Sequence, residues 1–223
     1  ACDAFATEYD FSETDHALIA EALLLPPEQA LDVALRPSHW KSLDRYAWRY
    51  LKFPALLLRT QHPIQVSALL TSCLLPEDAP CSLDETLWKI AGEAGKKRVG
   101  VESFEGQIAT IRAIPFEQHL KNLVSLIHGF ARQRKHLEKM MRWYQAGSLQ
   151  KLHKAARKDA SGMRKTLLFD RNESMTRAFL TIAREGPLFC AVGAGHLAGG
   201  KGMLRMLKLA GCTVKPVISP NQN

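Results

Sequence analysis

The chain has 223 residues, 46% of them hydrophobic and 23% charged, with a formal net charge of +8. That composition belongs to an ordinary globular protein with a sizeable core and excludes a disordered or low-complexity chain. No stretch approaches the roughly 20 consecutive apolar residues of a membrane-spanning helix; the nearest candidates, Ala55–Leu58 and Leu188–Val192, are short enough to be a core helix and a core strand.

In chain order, Ala4–Phe11 reads as a strand with Glu8 and Asp10 near its end, and Asp15–Leu25 as a helix stopped by Pro26-Pro27. Short helices follow near Pro27–Leu35, from Ser38 to about Leu51, and after Pro63; the Pro76–Pro80 turn closes the section. Ser82 and Glu85 form a capping-box pattern for a helix Leu83–Glu93, with Leu83, Leu87, Ile90, Ala91 and Ala94 on one side. Lys97–Ser103 is a strand ending at Glu102, followed by a helix to about Ile111.

From Pro115 to about Tyr144 apolar residues recur at helical spacing, which predicts one long helix, with a second basic helix after Gly147. Asp170, with Glu173 three residues on, is the expected cap of a helix to about Glu185. The chain then gives strand Leu188–Val192, a glycine loop holding His196, helix Gly200–Ala210 and strand Thr213–Ile218. Strands alternating with helices predict an α/β fold: a small, mainly parallel or mixed sheet surrounded by many helices. With no linker composition in sight, residues 1–223 read as one domain in which 115–185 is a helical elaboration.

Five cysteines leave at least one unpaired. Cys190 and Cys212 read as small core residues, whereas Cys73 and Cys81 bracket a loop that could join them. Positive charge gathers between Arg132 and Lys165, opposed only by Glu138 and Asp159. This is either a solvated helix face or a surface for an anionic partner, nucleic acid or lipid. The chain opens on Ala1, so a natural start upstream of it, with or without a leader or lipid anchor, is expected.

Three strand ends carry chemistry: Glu8, Glu102 and His196. In open α/β sheets ligands bind beyond the carboxyl ends of the strands. If these strands are parallel neighbours, two carboxylates and an imidazole meet there. That set suits a divalent metal ion, or a general base and acid without one. Gly193 and Gly195 give the loop backbone freedom and let a ligand approach. Arg171 could orient a substrate carboxylate or the glutamates, and Gln107, about a turn past Glu102, could hydrogen-bond into the same site. His128, His136 and His153 read as helix residues rather than ligands. Gly193-x-Gly195-x-x-Ala198 has no acid after it and only one strand, which rules out a dinucleotide fingerprint. No Gly-x-Ser-x-Gly elbow exists for a serine hydrolase.

Taken in order, four blocks resemble the TraB/GumN/Tiki family: Ala6-Thr-Glu8-Tyr-Asp10; Leu83-Asp84 through Lys97-Arg-Val-Gly-Val-Glu102 to Gln107; Arg171-Asn172-x-x-Met175; and Val192-Gly-Ala-Gly-His196-Leu-x-Gly. The resemblance implies an α/β fold related to the erythromycin-esterase and ChaN groups. It also implies a metal-dependent hydrolase, most readily a peptidase acting on a peptide or small-molecule substrate. Glu8, Glu102 and His196 would be metal ligands and, with Arg171, catalytic residues; Gln107, Gly193 and Gly195 would bind substrate. A non-catalytic peptide- or haem-binding protein of the same fold is the alternative, and the cell envelope the implied location. The family's upstream Gly-x-x-His strand has no counterpart before Glu8.

Overall fold

In a computed structural model the described residues are 2–12, 19, 21–75, 81–160 and 162–217. In chain order they form β1 (Ala4–Thr7), α1 (Leu31–Ala34), α2 (Pro37–Tyr46), α3 (Pro63–Ser72), α4 (Leu83–Glu93), β2 (Lys97–Gly100), α5 (Phe104–Arg112), α6 (Phe116–His128), α7 (Phe130–Gln145), α8 (Leu149–Asp159), α9 (Arg171–Ile182), β3 (Leu188–Cys190), α10 (Ala194–Leu197) and α11 (Met203–Leu209). This is the expected α/β fold, with a small parallel sheet and many helices. No described helix is long and apolar enough to cross a membrane.

The chain divides into two compact units. Unit 1 comprises residues 1–10, 87–102 and 146–223, and unit 2 comprises 11–86 and 103–145. The purely helical section is therefore residues 11–86 and 103–145, while α8 and α9 belong with the sheet.

Unit 1 is built on the strand order β2-β1-β3, with both pairs parallel. Apolar side chains close one face: Ala6, Val101, Met175 and Met203 are buried together, with Val99, Ile182 and Leu188 packed against them. The central strand is only four residues long, yet its ladder outlasts it. Val101 N–H donates to Thr7 O at 2.9 Å and Glu102 N–H to Glu8 O at 3.0 Å. On the other edge Ala191 N–H reaches Ala6 O at 2.8 Å. The predicted fourth strand does not form: Thr213–Val217 has no regular structure, Val217 is fully exposed, and Ile218 lies outside the described residues. A segment whose residues are almost all solvated has no apolar face with which to join a sheet.

Unit 2 is a helical cluster around Leu31, Leu43, Leu70, Leu123 and Ile127. The single helix expected from Pro115 to Tyr144 is two, broken at Gly129, whose φ of −110° and ψ of 19° leave the helical basin. A side chain would crowd that break, since a Cβ on Gly129 would lie 2.8 Å from Ser125 O. The predicted Ser82 cap is present, its Oγ accepting from Glu85 N–H at 3.1 Å. In α4 the buried residues are Trp88 and Ala91, while Leu83 and Ile90 are exposed, so its apolar side is turned from the expected one. Residues 15–18 and 20 of the predicted Asp15–Leu25 helix and the whole Pro76–Pro80 turn lie outside the described residues. No disulfide is present among the described cysteines, Cys73 and Cys81 included.

A pH dependence is built into unit 2. His62 caps α3: its Nδ1 accepts from Ile64 N–H at 3.3 Å, and Gln65 Oε1 accepts from His62 N–H at 3.0 Å. The ring lies edge-on to His119, centroids 4.6 Å apart. Burial, and then His119, push the His62 imidazole down to about 4. Above about pH 6.5 the folded and unfolded chains are both neutral at this residue. Between there and pH 4 only the unfolded chain takes the proton, so stability falls with pH. Asparagine keeps a cap acceptor but cannot titrate. The expected result is that His62→Asn flattens the decline of the thermal midpoint over this range; an unchanged slope would assign it to other groups.

Candidate functional site

All of the site's contacts lie within unit 1. Because β1 is flanked by both other strands, Glu8 and Glu102 leave neighbouring strand ends side by side, and the turn after β3 brings His196 to the same edge. The sequence's assumption of parallel, adjacent strands is thereby met. Gly100 permits the close approach there: a Cβ on it would lie 2.6 Å from Asp10 N.

Arg171 ties the carboxylates together. Its Nε donates to Glu102 Oε1 at 2.8 Å and its Nη2 to Glu102 Oε2 at 2.6 Å, a two-pronged pair. The same Nη2 donates to Glu8 Oε2 at 2.8 Å, and Nη1 approaches His196 Nε2 at 3.5 Å. Side-chain exposure is 19% for Arg171, 13% for Glu8 and 8% for Glu102, so these are screened pairs rather than surface ones. Burial opposes the charge on Arg171, but the bonds and attraction of Glu102 and then Glu8 outweigh it and hold the guanidinium protonated above its ordinary value.

Arg171 is delivered by a local irregularity. A π-helical turn, Lys165–Asp170, runs directly into α9. Asp170 is therefore already helical, with φ −65° and ψ −39°, and does not cap α9 as expected; its carboxylate is held by Lys165 Nζ at 2.8 Å. The next residue, Asn172, is almost fully buried. Its Nδ2 donates to Lys201 O at 2.7 Å, which turns Oδ1 toward His196 Nδ1 at 2.6 Å.

That contact decides the state of the histidine. An amide oxygen can only accept, so His196 carries its proton on Nδ1; the Nε2 lone pair faces Arg171 Nη1, and Glu8 Oε1 lies 3.9 Å from Nε2. The imidazole's pKa is lowered: burial dominates, with Arg171 acting the same way against the raising influence of Glu8 and Glu102. With His196 neutral, the two carboxylates and one guanidinium sum to one surplus negative charge. A proton taken up by His196 cancels it.

The loop glycines act through space rather than through special backbone angles. Neither Gly193 nor Gly195 has a positive φ, contrary to the expected freedom. Gly193 N–H donates to Glu8 Oε1 at 2.7 Å, and a Cβ there would sit 3.1 Å from that oxygen. Gly195 lies against α8, where a Cβ would come within 2.8 Å of Ala156 Cβ. His153 Nδ1 donates to Gly195 O at 3.1 Å. Sequence reasoning did not assign Asn172 or His153 to the site. Asn172 was legible as the neighbour of Arg171, but His153 lies 43 positions from His196 with nothing to link them. Gln107 is a buried residue of unit 2.

A metal centre would need Glu8, Glu102 and His196 to turn their donors on one ion. The guanidinium of Arg171 holds that position, and among the described residues no group of His, Cys, Asp and Glu is arranged to hold a metal. As arranged, the expected ligands do not present a metal's coordination shell. Cys190 offers no nucleophile either: burial, then Glu8, pushes its thiol up to about 12.

A short parallel sheet that gathers charged side chains at its carboxyl ends, helices packed around it, defines an α/β protein with a strand-end site. The chain belongs to the TraB/PrgY/gumN family, which it matches over residues 1–216. No curated protein and no solved structure matches it.

Proposed function

We propose that this family member is a hydrolase whose general base is His196, with peptide amides as the first substrate class to consider. The observation that carries the reading is the pairing of His196 Nδ1 with Asn172 Oδ1, which leaves Nε2 unprotonated, with Glu8 Oε1 3.9 Å away. Nε2 would take a proton from water as the water oxygen bonds to the substrate carbonyl carbon and the carbonyl electrons move to its oxygen. The imidazolium would then return the proton to the leaving nitrogen as the C–N bond breaks. Glu8 faces the developing imidazolium and stabilises it. Glu102, with both oxygens on Arg171, positions that cation, so it is Glu8 rather than Glu102 that stands beside the base.

The expected result with a panel of chromogenic peptides and esters is turnover that Glu8→Gln lowers by about tenfold or more. Because Arg171 sits where an ion would, turnover is also expected to survive chelation. Loss of turnover on chelation, restored by a divalent metal, would instead support a metal-dependent hydrolase with Glu8, Glu102 and His196 as ligands. Saturable peptide binding without turnover would support a binding protein.

A further inference from the structure

Unit 1 contains a second charged feature that this chemistry does not use. α8 is amphipathic: Leu152, His153 and Ala155 are buried, while Lys154, Arg157 and Lys158 are exposed. Beside it lies a cavity of about 550 Å³ lined by Gln150, His153, Lys154, Arg157, Lys158 and Arg164. Its volume is that of a small-molecule site, on the order of 300–1,000 Å³. Four of the six lining residues are permanent cations, and none is an acid.

The lining is partly built in advance. Arg164 Nε donates to Arg157 O at 2.7 Å, fixing the guanidinium against the last turn of α8. That carbonyl is one of those a helix end leaves without an intrahelical partner. His153 is held by Gly195 O, and its ring fills the space beside Gly199, where φ is +91° and a side chain would collide with it. His153 is thus shared between the cavity wall and the seat of the His196 turn, where Ala156 also lies against Gly195.

Converging like charges repel, and a bound anion relieves the repulsion. One carboxylate would leave most of this charge uncompensated. A phosphate group carries roughly two negative charges and three acceptor oxygens, suited to Arg and Lys donors around a shared point. We propose that this cavity binds a phosphate-class polyanion, an oligophosphate or the phosphorylated end of a small ligand. The site stands whether or not the His196 cluster is catalytic, because binding is read without turnover.

The test is calorimetric titration of the full chain with tripolyphosphate. The triple variant Lys154→Gln, Arg157→Gln, Lys158→Gln is compared with a control, Lys135→Gln, Lys139→Gln, Arg142→Gln, that removes the same charge from α7 in unit 2. All six residues are on helices, and glutamine keeps good helix propensity. The expected result is one saturable site, weakened at least about tenfold in the cavity variant and by less than about twofold in the control. Equal weakening by both variants, absence of saturation or absence of binding would overturn the proposal. So would anionic vesicles or duplex nucleic acid binding the chain with the two variants weakening it alike, which would mark a general basic surface.

Discussion

Replacing Arg171 by leucine is expected to lower the stability of the folded chain at pH 7 by about 3–5 kcal/mol, the cost of leaving partners of a buried ion pair without their counter-charge. Glu8 and Glu102 both accept from one guanidinium nitrogen, at 2.8 and 2.6 Å, so without it two carboxylates face each other at one strand edge. The penalty has a pH signature. Crowded carboxylates hold protons more tightly in the folded state than in the unfolded one, so the variant should recover part of its stability as pH falls toward 5. Urea unfolding at pH 7 and pH 5 checks both statements. Adding Glu8→Gln and Glu102→Gln to Arg171→Leu should also recover part of the loss. A loss under about 1 kcal/mol, the scale of exposed pairs, would mean that the cluster is solvated rather than buried.

The second large effect concerns His196. His196→Ala is expected to reduce turnover by on the order of 10²–10⁴-fold. The pH dependence separates a base from a structural residue. Burial lowers the imidazole's proton affinity, with Arg171 on the same side and the two glutamates opposing, so kcat/KM should fall only below the usual histidine range near pH 6.5. Asn172→Asp places a carboxylate against Nδ1 and should move that acid limb upward. An acid limb that stays where it was in this variant would show that His196 does not set it.

Much of this site was legible in the sequence because strand ends announce themselves. Apolar runs ending in Glu8, Glu102 and the His196 turn predicted three candidates, and the parallel ladder brings all three together. Arg171 was visible as a charged residue at a helix start. Orienting the glutamates was one of its two expected roles; the sequence did not choose between them, because a cation that bridges two strand ends depends on contacts 69 and 163 residues away along the chain. The π-helical turn that delivers it has no periodic signature, and Asp170 reads as a cap only if that turn is ignored. Gly129 was a visible break, overridden by the apolar spacing on both sides of it. The fourth strand failed for a related reason: Thr213–Val217 has strand-forming residues but no neighbour to bury them. The division into two units was hidden, because unit 2 is interrupted by α4 and β2 and no linker composition marks either crossing.

His196, set by Asn172 and flanked by Arg171 and Glu8, is the proposed base for hydrolysis. The most direct test is steady-state turnover of a chromogenic peptide and ester panel by the wild-type chain and by His196→Ala, prepared identically. Turnover by the wild type that falls at least about a hundredfold in the variant is the predicted result. Turnover that survives His196→Ala, or a wild-type chain inert on every substrate of the panel, would contradict it.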